Sequence, residues 1–329
     1  MTIIGAYAFA NCYSLTGVYI TDIVAWYNIE FSVGSSNPLS YAHNLYLNNE
    51  LVTELVIPDS VTRIGNYAFY ECRSLTSITI PDSVTSIGDY AFYDCRSLSY
   101  NIKDNIEYLG NEKNPYIVVM GVTDKSLSSY SIDECARFLH SGAFKYCSSL
   151  TSIVIPDSVK SIGSEAFERC DSLTSITIPD GVTSIGNSTF YNCDSLTSVT
   201  IGNGVTSIGG NVFNGCSSLT SIVIPDSVTS IGGFAFEYCS SLTSIVIPDS
   251  VKSIVQQAFK GCSSLTNITI GNGVTSIGWY VFNDCSSLVN ITFNGTIEEW
   301  KNIEKYDWKG DTGEFTVHCT DGDLTKEES

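Results

Sequence analysis

The chain has 329 residues, of which 43% are hydrophobic and only 16% are charged. The 35 Asp and Glu residues outnumber the 16 Lys and Arg residues, and the formal net charge is −19. Nucleic acids and anionic membranes need a cationic footprint on the protein, so this charge disfavours both as partners. No apolar run approaches the roughly 20 residues of a membrane-spanning helix, and the first residues do not read as a signal peptide.

A unit of 23 residues recurs along most of the chain. Leu stands three residues after the cysteine of each unit, Ile or Val at six, usually Ile at eight, Val at 12, Ile at 15 and Phe at 20. A fixed period of this kind overrides the roughly two domains that the length suggests, and it predicts one repeat array. The cysteines that keep the period are Cys72, Cys95, Cys147, Cys170, Cys193, Cys216, Cys239, Cys262 and Cys285.

Each unit is predicted to contain a strand, a turn and a second short extended piece. The segment Thr220 to Ile224 alternates polar and β-branched residues, which is typical of a half-buried strand. Pro-Asp or Gly-Asn then ends the strand, and Ala-Phe-x-x-Cys is long enough for only one helical turn. A single unit cannot bury its own apolar residues, so the units must stack, with equivalent strands in register about 4.8 Å apart.

The first part of the chain departs from the repeat twice. Residues 2–20 are interpreted as a partial turn, and because the chain starts within a unit we expect a fragment of a longer gene product. Residues 21–50 form an insertion in which Asp22 is expected to cap a short helix. Two regular units follow at residues 51–100. Residues 101–123 are a second insertion, predicted to be a long-looped hairpin that stands off the array.

The remaining repeats occupy residues 124–293. A Thr-x-x-Glu capping box begins at Thr296, so residues 294–320 are predicted to form a C-terminal cap with a short helix over the last turn. Residues 321–329 are expected to be a polar tail. The whole chain, residues 1–329, is therefore predicted to be a single solenoid domain and a monomer.

The pattern LTSIxIPDSVTSIGxxAFxxC, carried for example by residues 219–239, resembles the BspA-like class of leucine-rich repeats. The resemblance covers nearly the whole chain. It implies a leucine-rich-repeat solenoid of stacked parallel short strands, mostly β with single helical turns. It also implies a bacterial cell-surface or secreted protein with a role in adhesion or host contact. Both insertions and the C-terminal helix resemble segments that accompany these repeats in proteins of gut bacteria.

The 12 cysteines are interpreted as reduced core residues. Metal sites favour CxxC-type pairs, which the sequence lacks. Neighbouring units would place their cysteines about 5 Å apart, within the range of a disulfide, but the units are equivalent and no pairing is favoured. A buried reduced cysteine behaves as a small apolar residue. The redox state of Cys12, Cys135 and Cys319 is left open.

Candidate catalytic and metal-binding groups are few. The Asp after each Pro, as at Asp226, could bind Ca²⁺ as part of a column of carboxylates, but we favour a turn in which Asp bonds its own backbone. His43, His140 and His318 fall in different segments without a nucleophile–base arrangement. No phosphate-binding glycine pattern occurs. We therefore expect no enzymatic activity, no cofactor and no metal.

The candidate interaction residues belong to two groups. Outward strand positions carry small or β-branched residues, so the face of the array is flat, regular and nearly uncharged, and it suits broad contact with a protein or a glycan. The insertions are rich in aromatic residues, which favour recognition when exposed, although we favour the alternative that they pack the insertions onto the array. The candidates are Trp26, Tyr27, Tyr41, Tyr46, Tyr108 and Tyr116 in the insertions, and Ser175, Thr177, Ser221 and Val223 on the strands.

Two functions follow from this reading. The first is a non-enzymatic interaction or adhesion module that binds a protein or glycan ligand on host or neighbouring cells through the solenoid surface and its insertions. The alternative is a structural spacer that presents a separate carbohydrate-binding or catalytic domain.

Overall fold

The computed structural model describes residues 2–329, which fold as two compact units. The N-terminal unit comprises residues 2–123 and 133–143, and the C-terminal unit comprises residues 124–132 and 144–329. Each unit is a β-solenoid in which short parallel strands stack turn upon turn. The solenoid of stacked strands is thus confirmed, whereas a single domain over the whole chain stays a prediction.

Each turn of the N-terminal unit contributes strands to two ladders. Glu54–Val56 pairs with Ser77–Thr79 in the first ladder, and Arg63–Ile64 pairs with Ser86–Ile87 in the second. The strands of this unit are Thr2–Ile4, Val18–Ile20, Ile29–Phe31, Leu45–Leu47, Glu50–Leu51, Glu54–Val56, Arg63–Ile64, Ser77–Thr79, Ser86–Ile87, Asn101–Lys103, Ile106–Leu109, Val118–Val122 and Phe138–Leu139.

The C-terminal unit repeats this arrangement more regularly. Ser175–Ile178 pairs with Ser198–Ile201 so that each residue lies beside its equivalent in the next turn. This register places equivalent side chains above one another, so the same core packing recurs in every turn. The strands are Ser129–Ser131, Ser152–Val154, Ser161–Ile162, Ser175–Ile178, Ser184–Ile185, Ser198–Ile201, Ser207–Ile208, Ser230–Ile231, Ser244–Ile247, Ser253–Ile254, Asn267–Ile270, Ser276–Ile277, Asn290–Phe293, Glu304–Lys305, Thr316–Cys319 and Gly322–Thr325.

A continuous stack of phenylalanine rings runs through the core of the C-terminal unit. Rings of neighbouring turns lie 5.2–5.8 Å apart between centroids, with their planes within 19° of parallel. All of them are fully buried, so each turn covers the apolar face of the one before it. The stacked residues are Phe144, Phe167, Phe190, Phe213, Phe236, Phe259 and Phe282.

The core cysteines connect consecutive turns. In six successive turns of the C-terminal unit the thiol donates a hydrogen bond to the carbonyl oxygen of the stacked Phe in the preceding turn, as from Cys193 to Phe167 at 3.1 Å. The same bond recurs at 3.1–3.3 Å for Cys170, Cys216, Cys239, Cys262 and Cys285. The cysteines of the regular units are free thiols and are buried, as predicted, and Cys12, Cys135 and Cys319, whose redox state was left open, are free as well. The six donors, Cys170, Cys193, Cys216, Cys239, Cys262 and Cys285, therefore satisfy a backbone carbonyl in addition to filling the core.

The first insertion packs into the N-terminal unit. Asp22 caps the helix Ile23–Tyr27, as predicted, and its carboxylate accepts hydrogen bonds from two backbone N–H groups of the first turn, at 2.9 and 3.0 Å. The indole Nε1 of Trp26 donates to the carbonyl oxygen of Ala68 at 2.8 Å, which ties the helix to a regular turn. Two further short helical elements complete the insertion, the 3₁₀ helix Gly34–Ser36 and the α-helix Leu39–Ala42.

The second insertion is built into the N-terminal unit, which corrects the prediction that it stands off the array. Ile106–Leu109 pairs antiparallel with both Asn101–Lys103 and Val118–Val122. Val118–Val122 also pairs parallel with Phe138–Leu139 and so continues a ladder. A free-standing hairpin would leave its apolar side chains in water. The side chains that are buried instead are Ile106, Tyr108, Leu109, Ile117, Val118 and Val119.

A side chain replaces a missing backbone acceptor beside this insertion. In a regular turn the N–H of the core Phe donates to a carbonyl of the next turn, as from Phe69 to Ala91 at 2.8 Å. The corresponding N–H of Phe92 donates to Nε2 of His140 at 3.3 Å. His140 is buried and stands where most units have glycine. Its ring thus completes the hydrogen bonding that the insertion interrupts.

The end of the C-terminal unit is closed by the helix Ile297–Asn302. The predicted capping box is present: the Glu299 N–H donates to Oγ1 of Thr296 at 3.2 Å, and the Thr296 N–H donates to the Glu299 carboxylate at 2.8 Å. Trp300, on this helix, is fully buried. The helix therefore covers apolar core as a solenoid terminus requires.

The segment expected to be a polar tail contains a strand. Gly322–Thr325 pairs antiparallel with Thr316–Cys319. The expectation rested on the polar composition of the segment and overlooked Leu324, which is buried. One apolar side chain on the inward face, together with a paired backbone, is sufficient to extend the ladder by a hairpin.

Candidate interaction surface

The first ladder of the C-terminal unit presents two columns of side chains to solvent, separated by a buried column of Ile and Val. We name them by composition: the Ser/Asn column stands five residues after each cysteine and the Thr/Val column seven residues after it. The Ser/Asn column consists of Ser152, Ser175, Ser198, Ser221, Ser244, Asn267 and Asn290. The Thr/Val column consists of Val154, Thr177, Thr200, Val223, Val246, Thr269 and Thr292.

The four strand candidates lie in these columns and are exposed: Ser175, Thr177, Ser221 and Val223. The apolar members of the Thr/Val column are exposed as well. Val154 and Val223 are each 79% exposed and Val246 is 57% exposed. Threonine fills the same position in other turns, so the fold does not require valine there.

Where proline follows a strand of the first ladder, one backbone donor to the preceding turn is missing. Gly271 follows its strand directly, and its N–H donates to the carbonyl oxygen of Ile247 in the preceding turn at 2.9 Å. Pro225 and Pro248 occupy the same position and have no N–H to donate. Residues 221–224 are joined to the next turn by an isolated bridge, where the alternating sequence predicts a regular strand.

A groove of about 380 Å³ lies over this interruption, and we call it the C-terminal groove. Its lining includes Val223 and Val246, whose apolar side chains we call its floor, and Asp226, Pro248 and Asp249, which we call its wall. A second groove, of about 650 Å³, lies in the N-terminal unit and is called the N-terminal groove. It uses the same repeat positions and is closed by the loop of the second insertion; its residues include Val56, Asp59, Thr79, Asp82 and Lys113.

Three of the six aromatic candidates are buried, which corrects their assignment to an exposed surface. Trp26 is 6% exposed, and Tyr27 and Tyr108 are fully buried. Burial raises the pKa of the Tyr27 hydroxyl, and the Tyr108 hydroxyl accepts a hydrogen bond from the Asp133 N–H at 3.1 Å. These side chains pack the insertions into the N-terminal unit and are not available to a partner.

The other three aromatic candidates are half-buried. Tyr46 stacks on Tyr19 with ring centroids 4.5 Å apart and planes within 10°. The Tyr41 hydroxyl accepts a hydrogen bond from a backbone N–H at 3.2 Å, and the ring of Tyr116 lies edge-on to Tyr108 at 5.1 Å. They expose part of each ring, but they lie on the N-terminal unit and do not join the strand candidates, which lie on the C-terminal unit.

An aromatic patch on the C-terminal unit was missed by sequence reasoning. Trp279, Tyr280 and Tyr306 are 51%, 40% and 39% exposed. The rings of Trp279 and Tyr306 stack with centroids 5.9 Å apart. The signal was a departure from the repeat: Gln256 occupies the equivalent position one turn before Trp279. Column-by-column comparison would have revealed it.

The Asp residues that follow Pro in the repeat include two that bind the backbone. The Asp180 carboxylate accepts a hydrogen bond from the Asn203 N–H at 2.7 Å, and Asp249 accepts one from the Asn272 N–H at 3.1 Å. These two carboxylates thus bind the backbone of the next turn, whereas we expected each to bind its own. Across residues 2–329, no group of three or more His, Cys, Asp or Glu side chains is placed to hold a metal ion.

The core thiols are poor nucleophiles. Burial raises the pKa of Cys216, Cys239 and Cys262 well above the ordinary value, and it raises that of Cys193 to about 12. Thiolate is the reactive form, so these cysteines stay protonated and act as hydrogen-bond donors. The outward columns, the two grooves and the aromatic patch are surfaces suited to binding.

The stacked turns, the two ladders and the repeating core define a leucine-rich-repeat solenoid protein. A family model described as BspA type leucine rich repeat region matches residues 41–113, 137–263 and 206–306 in six copies. The chain therefore belongs to the BspA type leucine-rich-repeat family, whose members are generally non-catalytic. No helix among residues 2–329 has the length and apolar character needed to cross a membrane.

Solved structures agree with this assignment. The chain is 30% identical to the leucine-rich repeat protein TpLRR of T. pallidum over 57% of this chain and 90% of that one, with a TM-score of 0.52. It is 24% identical to a leucine-rich repeat protein from Eubacterium ventriosum ATCC 27560 over 88% of this chain and 81% of that one, with a TM-score of 0.54, which supports the fold alone. No curated protein matches the chain.

Proposed function

We propose that this chain is a monomeric, non-enzymatic adhesion module of a bacterial cell-surface or secreted protein, and that it binds a protein or glycan ligand through the outward columns. The observation that carries the proposal is the exposure of Val154, Val223 and Val246 in a column where threonine serves the fold equally well. Recurring apolar side chains on a surface mark contact sites more often than isolated ones do.

The geometry of the columns favours broad contact. Parallel strands in register hold the side chains in rows, as in the pairs of Ser175–Ile178 with Ser198–Ile201 and of Ser244–Ile247 with Asn267–Ile270. Short β-branched side chains on a paired backbone lose little conformational entropy when a ligand binds. The columns are also free of charged residues, so a ligand can cover them without desolvating ions.

A binding panel tests the proposal. Purified chain is measured against immobilised extracellular-matrix proteins and mucin glycoproteins, and we expect at least one to bind. The triple variant Val154→Glu, Val223→Glu, Val246→Glu should lower that affinity at least about tenfold, because it places charge in the contact. The matched control adds the same charges outside the columns, at positions where other units carry Asp: Ser148→Glu, Ser263→Glu and Ser286→Glu.

Three results contradict the proposal. The first is absence of binding to every member of the panel. The second is unchanged affinity of the Val→Glu variant. The third is an equal loss of affinity in the Val→Glu variant and in the matched control, since that would reflect net charge alone. Melting temperatures of all three proteins must agree for the comparison to hold.

A structural spacer that presents a separate carbohydrate-binding or catalytic domain is the second candidate. The unbroken stack from Phe144 to Phe282 favours it, because a continuously packed core makes a stiff element. A spacer should bind no member of the panel, so the same experiment separates the two functions.

A further inference from the structure

We infer that the C-terminal groove binds a lysine or arginine side chain presented by an extended segment of a partner polypeptide. The inference rests on the proposed function, since it names the chemistry of the partner at one place beside the outward columns. Three features of the groove carry it: an apolar floor, a wall of hydrogen-bond acceptors, and a backbone edge without its usual donors.

The floor of the groove consists of the two exposed valines. Val223 is 79% exposed and Val246 is 57% exposed, and an isolated bridge joins them across adjacent turns. The alkyl stem of a lysine or arginine packs well on such methyl groups while its charged end reaches a polar rim. A bare metal ion would make no use of this floor, and Ca²⁺ needs six to eight oxygen ligands.

The wall of the groove offers acceptors and negative charge. Asp226 and Asp249 both line it, and none of its lining residues is Lys or Arg. The side-chain amide of Asn294, at one end, is turned towards Asp249, with its nitrogen 3.4 Å from Oδ1. Two carboxylates without a basic neighbour in the groove are complementary to an ammonium or guanidinium group, which has donors only.

The backbone beside the groove favours an extended segment as the source of that side chain. Pro248 cannot donate to the carbonyl oxygen of Ile224, whereas Gly271 donates to Ile247 in the equivalent position. The N–H groups of an extended chain can supply such a missing donor. One segment can therefore bond the backbone, lay an alkyl stem on the valines and bring a positive charge to the carboxylates.

The N-terminal groove provides a comparison within the same protein. Its floor includes Val56, which is 71% exposed, and its wall includes Asp59 and Asp82. Lys113 also lines it and supplies a positive charge of its own. We therefore assign the basic side chain to the C-terminal groove, which is lined by no Lys or Arg.

A labelled peptide tests the inference. The probe is a fluorescein-labelled, acetylated and amidated heptapeptide of alternating Val and Lys, and its partner peptide has Glu in place of Lys. Fluorescence anisotropy should detect binding of the Lys peptide and no binding of the Glu peptide. The variant D226N/D249N should lower the affinity for the Lys peptide about tenfold. Asparagine already stands in this column at Asn203 and Asn272, so the fold should tolerate the change.

The matched control is D171S/D194S. It removes the same two charges from exposed positions outside the groove, in a column where Ser217 stands natively. It should leave the affinity for the Lys peptide within about twofold of the wild-type value, because Asp171 and Asp194 lie away from the groove. A second pair, V223T/V246T, removes the apolar floor and keeps the charge; it should also weaken binding.

Several outcomes overturn the inference: no binding of the Lys peptide to the wild-type chain, equal binding of the Glu peptide, or equal losses in D226N/D249N and D171S/D194S. The last result would mean general attraction to a chain of net charge −19. Any of these outcomes together with retained binding in the matrix and mucin panel refutes the groove inference and leaves the proposed function intact. If the peptide results are as expected but the wild-type chain binds no member of the panel, the proposed function is refuted.

Discussion

The thiol of Cys216 donates a hydrogen bond to the carbonyl oxygen of Phe190, in the preceding turn, at 3.1 Å. The same carbonyl accepts the Cys193 N–H of its own turn at 3.2 Å. The six cysteines from Cys170 to Cys285 therefore each link two turns by a hydrogen bond that alanine cannot make and that serine, with a smaller side chain, cannot make while filling the same volume. A buried carbonyl that loses a partner raises the free energy of the folded state.

Removal of one core thiol should destabilise the chain measurably. Cys216→Ala deletes the donor and leaves a small cavity, and we expect a loss of about 1–2 kcal/mol in the free energy of unfolding. Urea unfolding followed by circular dichroism measures it. Cys135→Ala, at an exposed cysteine, is the control and should stay within about 0.5 kcal/mol of wild type. An equal change in the free energy of unfolding for Cys216→Ala and Cys135→Ala would mean that the hydrogen bond from the Cys216 thiol does not stabilise the fold.

Thiol labelling should divide the cysteines by burial. Cys135 is exposed and Cys12 and Cys319 are intermediate, whereas the cysteines of the regular units are buried. Ellman's reagent should therefore react first at Cys135 and reach the core thiols only on unfolding. Cys135→Ser should abolish the fast phase. Rapid labelling of the core cysteines in the native protein would contradict the packing described here.

His140 should make the N-terminal unit sensitive to acid. Burial lowers the pKa of its imidazole from 6.5 to about 4. Nε2 accepts the Phe92 N–H, so the ring proton is on Nδ1, which lies 3.1 Å from the carbonyl oxygen of Ser141. Protonation of Nε2 would remove the acceptor and place a charge in the core.

The sign of this effect follows from the lowered pKa. His140 takes up a proton near pH 6.5 in the unfolded chain and near pH 4 in the folded chain. The stability that its neutral imidazole contributes is therefore complete above pH 6.5 and is lost as the pH falls to about 4. The loss should reach roughly 3 kcal/mol. His140→Gln keeps an acceptor without a titrating group, and urea unfolding between pH 7 and pH 4 should show a shallower decline for it. Parallel pH profiles would exclude His140 as the cause.

Trp279 should be a fluorescence reporter of the aromatic patch. It is 51% exposed, whereas Trp26, Trp300 and Trp308 are buried. Trp279→Gln restores the residue found one turn earlier, so we expect emission at shorter wavelength, loss of the acrylamide-quenchable component, and a free energy of unfolding within about 0.5 kcal/mol of wild type. Trp300→Phe is the control and should leave the quenchable component in place. Loss of the quenchable component in Trp300→Phe, together with its retention in Trp279→Gln, would mean that Trp279 is buried.

Much of the fold was predictable because the same apolar positions recur in every unit and are buried in the same way in each turn. The Leu, Ile, Val, Phe and Cys columns are all inward, and the register of Ser175 with Ser198 follows from the period. Local capping rules were equally reliable: Asp22 and Thr296 cap their helices as predicted. Both kinds of inference depend on residues that act within one unit or with their exact equivalents in the next.

The failures occurred where a segment meets a neighbour that differs from it. The burial of Tyr108 and the acceptor role of His140 depend on contacts across an insertion, which periodicity does not encode. The irregular pairing of residues 221–224 occurs between two turns that end in Pro225 and Pro248, and proline lacks the N–H that would bond the preceding turn. The C-terminal groove lies at this irregular pairing, and the N-terminal groove is closed by the loop of the second insertion, so the repeat pattern indicated neither groove.

The central claim is that the outward columns contact the ligand, and methyl NMR tests it most directly. Valine methyl groups are labelled, and the panel member that binds most tightly is titrated in. The methyl resonances of Val154, Val223 and Val246 should shift or broaden, while those of the buried Val205 and Val228 stay unchanged. Shifts confined to other exposed regions, with the three outward valines unaffected at saturation, would contradict the claim.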